Sequence, residues 1–305
     1  MRQEKEKSGG GFFWKLLLII AIGIFCFSAY QLFTIYQGYK TGVDEYQALE
    51  DKVVAKPKPI KNHKNQKPME EMTEEEIEEA EEEMQEEIQE QIQSLIPVEQ
   101  KETEEGEVVS PDAPITYPPE VDYAQLHEIN PDVVGWIQME AVPTINYPLL
   151  KGNDNDYYLH RTVMRTENFA GSIFLDAATS GYFTDPNTII YGHNMKNGSM
   201  FGQLKWLLER GRYKNSRYFW IGTPQGIYLY EIFSMQYVNA VSDTYTLFPE
   251  HDENFENYVI NMANRSRVNM GAQNLGRDDR VVTLSTCTSN DDIRFVVQGR
   301  WIATY

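Results

Sequence analysis

The amino-acid sequence predicts a mainly β domain that follows a membrane-spanning helix. Two observations predict the β class: helical patterns are few, and short strand-like runs separated by Gly, Asn, Asp and Pro dominate the carboxyl-terminal part. This mixture indicates an antiparallel barrel or sandwich decorated with helices. A third observation, a long uncharged apolar stretch near the amino terminus, predicts the membrane helix.

The globular domain is assigned to residues 119–305, a length that suits one good hydrophobic core. Strands are predicted at Thr188–Tyr191, Ile227–Met235, Val281–Ser285 and Phe295–Tyr305. Helices are predicted at Tyr123–Ile129, Met200–Arg210 and Asn254–Asn264.

Residues 16–39 carry no charged side chain. At about 1.5 Å per residue, a helix of this length spans about 36 Å and crosses a hydrocarbon core of roughly 30 Å. The alternative is a cleaved signal peptide, but its apolar region would be only about 7–15 residues long. We therefore predict an uncleaved anchor at 16–39, preceded by a cytoplasmic amino terminus at 1–15.

Flanking charges favour an orientation for this anchor. Four bases precede the span: Arg2, Lys5, Lys7 and Lys15. Lys40 and Lys52 are the only bases close behind it, which favours an inside amino terminus and an extracellular location for the bulk of the chain. A group of lysines between 56 and 67 pulls the other way from further off.

Three segments are predicted between the anchor and the domain: a Lys/Pro-rich spacer at 40–72, an acidic helix at 73–96 and a linker at 97–118. The acidic helix has a narrow apolar stripe that suits a coiled coil or packing on the domain, but we favour a single acidic helix in a stalk, frayed by repulsion between its glutamates. We expect residues 40–118 to be dispensable for catalysis in solution.

The net charge of −19 comes mainly from one segment, because residues 70–107 hold 18 of the 46 acidic residues. No domain is basic, so we expect no nucleic-acid partner. The acidic segment lacks the alternating oxygen ligands of a calcium loop. We expect no metal and no cofactor.

Cys287 is the candidate nucleophile. The chain has two cysteines, and the other, Cys26, lies inside the apolar span, where it has no access to Cys287. An unpaired thiol outside the cell is either buried and inert or reactive. A cysteine nucleophile works as a thiolate, which needs a nearby base or cation.

His193 is the candidate base among the five histidines. It follows the run Thr188–Tyr191 through Gly192, and we expect this glycine to let the backbone turn and set the imidazole at the end of a sheet. The remaining four occur in spacer, helix-flanking or aromatic contexts: His63, His127, His160 and His251.

Arg294 is the candidate oxyanion donor, since its fork of N–H groups suits a carbonyl oxygen. Arg300 lies on the same face of the last strand and competes for the role. Antiparallel pairing of the last two strands would set Arg294 near Cys287 and Arg300 roughly 20 Å away. Proximity therefore selects Arg294.

Several ordered motifs between about 123 and 305 resemble the sortases, specifically class B. They are Thr283-Leu-Ser-Thr-Cys287 with Arg294, Tyr191-Gly-His193-Asn-Met, Ile129-Asn-Pro-Asp-Val-Val-Gly-Trp136, Ile145-Asn-Tyr-Pro148, Asp154-Asn-Asp-Tyr-Tyr-Leu159, Gly171-Ser-Ile-Phe-Leu-Asp176 and Asn197-Gly-Ser-Met-Phe-Gly202. The resemblance does not extend to the lysine spacer or the acidic helix.

The resemblance implies a closed β-barrel of about eight strands, with an amino-terminal helical appendage and a helix in a late strand connection. It implies a membrane-anchored transpeptidase in which Cys287 attacks a carbonyl in the carboxyl-terminal sorting motif of a secreted protein. His193 would serve as acid and base, Arg294 would stabilise the oxyanion, and an amine of cell-wall peptidoglycan would accept the acyl group. Groove walls would include Asn155, Leu159, Tyr191 and Ser285.

Other functions remain open at the level of sequence. A pilus-assembling sortase would join pilin subunits, and a hydrolytic cysteine peptidase would use the same thiol and histidine, usually with Asn or Asp as orienting residue. A barrel on a membrane anchor that merely binds ligands belongs to a different class. A cross-linking enzyme of the L,D type would need a Ser-x-Gly-Cys run, which the chain lacks.

Overall fold

Eight strands close into one barrel, in the order β10-β8-β7-β3-β4-β5-β6-β9. This computed structural model describes residues 10–55, 114, 116, 119–287 and 292–305, with the backbone alone at 10–13 and 287. The closed barrel confirms the expected fold and excludes the sandwich. The pairing is mixed rather than wholly antiparallel, because β4 with β5 and β6 with β9 run parallel.

The first two strands have two residues each, and the last strand has 12. Their bounds are β1 Val54–Ala55, β2 Glu120–Val121, β3 Val133–Met139, β4 Asn146–Leu150, β5 Ile173–Leu175, β6 Asn187–His193, β7 Tyr218–Thr223, β8 Gly226–Asn239, β9 Val281–Cys287 and β10 Ile293–Thr304. The helices are α1 Gly10–Val53, α2 Tyr123–Ile129, α3 Trp206–Glu209 and α4 Glu253–Asn264.

The predicted helix at Met200–Arg210 is mostly turns, and only α3 within it is helical. Gly198 and Gly211, which lie on either side of this segment, both have positive φ, and this limits growth of the helix. In contrast, α2 has the predicted bounds, and α4 begins one residue before its predicted start.

Helix α4 covers one outer side of the barrel. Asp252 caps it by accepting a hydrogen bond from the Phe255 amide at 2.9 Å. Its buried side chains recur at helical spacing and pack against Phe233 and Val281 of the barrel. This is the helix expected in a late strand connection.

Helix α1 runs without a break from the apolar span onto the barrel. Its last turns bury Tyr46, Leu49 and Val53 in the barrel's main core cluster. Residues 40–53 are therefore helical and packed, whereas the predicted spacer began at residue 40. The physical reason is a face of buried residues at positions 42, 46, 49 and 53, a spacing of 3–4 residues that continues after the charges appear.

Strands β1 and β2 pair antiparallel, with Val54 beside Val121 and Ala55 beside Glu120. The chain between them, residues 56–119, thus leaves and rejoins the fold at one place. The anchor and the barrel are joined by α1 itself, so this segment is not a stalk in series between them. The predicted acidic helix at 73–96 and all but two residues of the linker at 97–118 lie outside the described residues.

Among the described residues, α1 is the one helix long and apolar enough to cross a membrane. Its most apolar 18-residue window has a mean hydropathy of 2.3, and none of that window is buried against the rest of the chain. One amino-terminal helix could therefore span a membrane.

Candidate active site

The parallel pairing of β6 with β9 sets two predicted catalytic residues side by side. The register runs from Asn187 beside Val281 to His193 beside Cys287, where both strands end. Neighbouring strands lie about 4.8 Å apart, and positions in register share a face of the sheet. The backbone thus brings the histidine and the cysteine together.

Strand β10 brings Arg294 to the other side of Cys287. Strands β9 and β10 are antiparallel, with Ser285 opposite Val296. The same register, continued by two residues, sets Arg294 opposite Cys287. Three consecutive strands of the closed barrel therefore carry the three predicted catalytic residues.

Thr286 keeps β9 and β10 joined at this level. Its Oγ1 accepts a hydrogen bond from the Phe295 amide at 3.0 Å and donates to the Phe295 carbonyl at 3.3 Å. Both partners are buried. A side-chain hydroxyl thus extends the ladder to the residue just before Cys287.

His193 is half-buried and held by one backbone group. Its Nε2 lies 2.8 Å from the Leu159 carbonyl oxygen. A carbonyl oxygen only accepts, so Nε2 carries the proton and Nδ1 is the basic nitrogen of the neutral ring. Burial lowers the pKa of His193, although the Leu159 hydrogen bond partly opposes this and the nearby His160 adds to it.

The Leu159 carbonyl is itself kept in place by Gly171 and α1. Gly171 has φ +58°, and a Cβ there would collide with the Leu159 oxygen. The Gly171 carbonyl accepts a hydrogen bond from Tyr46 at 2.9 Å, and the Tyr46 hydroxyl also lies 2.9 Å from Ser172 Oγ. A chain of contacts therefore links α1 to His193.

Gly192 acts differently from the prediction. It lies inside β6 and has no positive φ, so it does not turn the backbone. A Cβ there would collide with Ile173 and would lie 2.7 Å from Phe201 in the core. The glycine is needed for close packing, and the end of the strand is what sets His193 at the barrel rim.

Two of the predicted groove residues meet at a buried carboxylate. Asn155 Nδ2 and the Tyr191 hydroxyl donate to Asp176 Oδ2 at 2.9 and 3.0 Å. Asn155 Oδ1 also accepts from the Ala177 amide at 2.7 Å. Asp176 thus ties the loop that carries Asn155 to β6, two residues before His193.

Ser285 lies beneath a tyrosine that the sequence did not single out. Its Oγ is 2.8 Å from the Tyr245 hydroxyl, and Ser285 itself is 1% exposed. The Tyr245 ring stacks on the Tyr191 ring with centroids 6.4 Å apart. Of the four predicted groove residues, Leu159 contacts His193, and Tyr191 and Ser285 pair two residues before the ends of β6 and β9. Asn155 reaches Tyr191 through Asp176, and Tyr245 covers Ser285.

Asp176 and Tyr245 are the residues that sequence reasoning missed. Asp176 ends one of the quoted motif stretches, so a signal for it existed. Tyr245 lies in a short 3₁₀ turn, Asp243–Tyr245, with no periodic pattern that marks it.

The competing side chains are engaged elsewhere. His127 and His251 contact the carbonyls of Val133 and Arg277, each at 2.8 Å. Arg300 donates from Nε and Nη2 to Glu231 at 3.0 and 2.8 Å, and it lies six residues from Arg294 along β10. Within the described part of the chain, no cluster of three or more His, Cys, Asp or Glu side chains is placed to hold a metal ion.

A sequence model of the sortase domain matches residues 137–302. Sortase B of Listeria monocytogenes is 37% identical over 188 residues, which cover 58% of this chain and 72% of the relative. Sortase B of Staphylococcus aureus is 32% identical over 167 residues, which cover 54% of this chain and 67% of the relative.

Solved structures show the same fold. The crystal structure of Clostridium perfringens sortase B superposes with a TM-score of 0.55 at 32% identity. The match covers 60% of this chain and all of that one, so the barrel and its helices correspond to a complete solved domain.

Proposed function

Because this chain belongs to the sortase family, and within it to the class B cysteine transpeptidases, we propose that Cys287, His193 and Arg294 are its catalytic residues. The observation that supports this most directly is the register of His193 beside Cys287, with Arg294 on the strand that adjoins them. Sortases act on sorting-signal substrates and on the cell wall.

Acylation begins with the Cys287 thiol. Its proton passes to Nδ1 of His193 as sulfur forms a bond to the scissile carbonyl carbon of the sorting motif. Arg294 donates to the carbonyl oxygen as negative charge develops there. The carbon–nitrogen bond then breaks, the His193 proton goes to the departing amine, and a thioester remains on Cys287.

Deacylation reverses these roles. An amine of peptidoglycan attacks the thioester carbon and gives its proton to His193, and the sulfur leaves as the thiolate. The new amide joins the secreted protein to the wall. Asn155, Leu159, Tyr191 and Ser285 line or support the substrate groove, Ser285 by holding Tyr245.

The catalytic domain lies outside the cell, with α1 as a single-pass anchor and the amino terminus inside. The four bases that precede the span support this orientation over its reverse.

A transpeptidation assay of the full chain in detergent tests the proposal. The donors are a library of peptides with randomised short motifs, and the acceptor is a peptidoglycan-type amine. We expect Cys287→Ala to form no amide product and the matched variant Cys26→Ala to behave like wild type. Retained turnover in Cys287→Ala would contradict the assignment. Hydrolysis that ignores the amine would indicate a peptidase instead.

A further inference from the structure

Helix α1 meets the barrel before its apolar span has ended. Asn168 Nδ2 donates to the Gly38 carbonyl at 3.1 Å, and the rings of Tyr39 and Phe169 pack edge to face at 4.7 Å. A Cβ on Gly38 would collide with the Phe169 ring, so the two elements are in close contact.

These contacts lie at a defined depth. A hydrocarbon core of roughly 30 Å takes about 20 helical residues, so a span that starts at Leu16 leaves the core near Ile35. Thr34 and Ile35 line a cleft of about 650 Å³ together with His160, Arg161 and Phe169. The barrel therefore meets α1 where the helix leaves the lipid core.

The loop that makes these contacts is residues 157–169, here named the anchor-side loop. It exposes apolar and aromatic side chains: Tyr157, Met164 and Phe169 are 36%, 50% and 43% exposed. Arg161 lies over the Tyr157 ring at 4.7 Å and pairs with Glu167 at 3.0 Å. Aromatic rings and long basic side chains of this kind are enriched at the membrane–water interface.

We propose that the Phe169 end of the anchor-side loop lies in the interfacial layer of the bilayer that α1 crosses, with the Phe169 ring against lipid. The occupant of this surface is lipid because α1 delivers the loop to that depth and no spacer separates the two. The proposal rests on the membrane anchoring proposed above.

A consequence follows for the active site. The same loop carries Leu159, whose carbonyl fixes the proton on Nε2 of His193. The barrel rim that holds His193 is thus held at a short, fixed height above the membrane.

Site-directed spin labelling of the full chain in phosphatidylcholine–phosphatidylglycerol vesicles tests this depth. Phe169→Cys is made in a background of Cys26→Ala and Cys287→Ala and labelled with a nitroxide. Reference labels come from α1 itself: Ile24→Cys inside the span and Lys52→Cys in the last turn, roughly 21 Å beyond Gly38 at 1.5 Å per residue. Tyr157→Cys gives a second reading on the same loop.

We expect the ratio of oxygen to water-soluble nickel-chelate accessibility at 169 to exceed that at 52 several-fold and to stay below that at 24. A ratio at 169 and 157 equal to that at 52, with a lipid-like label at 24, would overturn the proposal and leave the anchor intact. Water-like labels at all positions would overturn both. Peptide turnover by wild type tests the chemistry separately.

Discussion

At the scale of single residues, the hydrogen bond from His193 to Leu159 decides which ring nitrogen can move a proton. Because Nε2 donates to a carbonyl, Nδ1 is the nitrogen that would take the thiol proton in the proposed acylation step. Burial favours the neutral ring, which is the form that accepts this proton.

This arrangement predicts a pH profile. Activity measured as kcat/KM should fall as pH drops through the pKa of His193, because the protonated ring cannot take the thiol proton. Burial lowers that pKa, so the acid limb should lie below the ordinary histidine value of about 6.5. His160→Gln removes a neighbouring charge that lowers the pKa, and it should move the limb to higher pH without reducing the plateau. A limb that moves to lower pH in this variant would contradict the account.

Arg294→Lys should reduce kcat strongly. Lysine keeps the charge but loses the planar fork, and loss of one oxyanion donor costs roughly 2.7–4 kcal/mol in other enzymes. The matched variant Arg300→Lys should instead lower the melting temperature, because Arg300 is paired with Glu231, and should leave kcat nearly unchanged. Steady-state kinetics and thermal unfolding distinguish the catalytic effect of the first variant from the structural effect of the second. A wild-type kcat in Arg294→Lys would mean that a positive charge alone is enough to stabilise the oxyanion.

The sequence predicted the position of Arg294 opposite Cys287 because residues along paired strands advance regularly, at about 3.3 Å per residue. It did not reach Tyr245, which lies 40 residues before Ser285 in the chain and meets it only through the tertiary fold. Contacts between a loop and a strand leave no periodic trace in the sequence.

At the scale of elements, α1 is longer than its uncharged apolar run predicts. The uncharged run ended at Tyr39, and the helix was expected to end with it. Beyond that point the apolar residues continue on one face only, through Tyr46, Leu49 and Val53, which is enough for a helix that packs on a barrel.

Gly171→Ala tests whether Gly171, which lies just before β5, helps to position the Leu159 carbonyl against His193. Alanine at φ +58° is strained by about 1 kcal/mol, and its Cβ would also displace the Leu159 carbonyl from His193. The matched control is Gly271→Ala, where φ is +66° but nothing lies within 4 Å. We expect both to lower the melting temperature, and only Gly171→Ala to reduce kcat at least tenfold and move the acid limb. Equal kinetics would show that Leu159 does not position His193.

At the scale of the whole molecule, the pairing of β1 with β2 makes the chain between them an insertion. The barrel and the long apolar helix were predictable from apolar runs and motifs. The topology was not, because a two-residue strand such as Val54–Ala55 is too short to give a pattern.

Replacement of residues 57–112 by a flexible Gly/Ser linker of about ten residues should leave folding and peptide turnover of a 40–305 chain nearly unchanged, since Ala55 and Glu120 on either side already pair. A chain of 119–305 should melt markedly lower, because it loses Tyr46, Leu49 and Val53, and truncation of one such buried side chain costs about 2–5 kcal/mol. Thermal unfolding and turnover of the three chains decide this. A several-fold loss of turnover on linker replacement would make the insertion part of the enzyme.

We propose that the paired ends of β6 and β9 form a thioacyl-transfer site. Intact-protein mass spectrometry with a peptide donor from the library and no amine acceptor tests this proposal. We expect an acyl adduct on Cys287 in wild type that disappears when an amine is added, and formation slowed at least about 10²-fold in His193→Gln but not in His127→Gln. Turnover without any adduct on Cys287, or an adduct formed equally fast in His193→Gln, would contradict it.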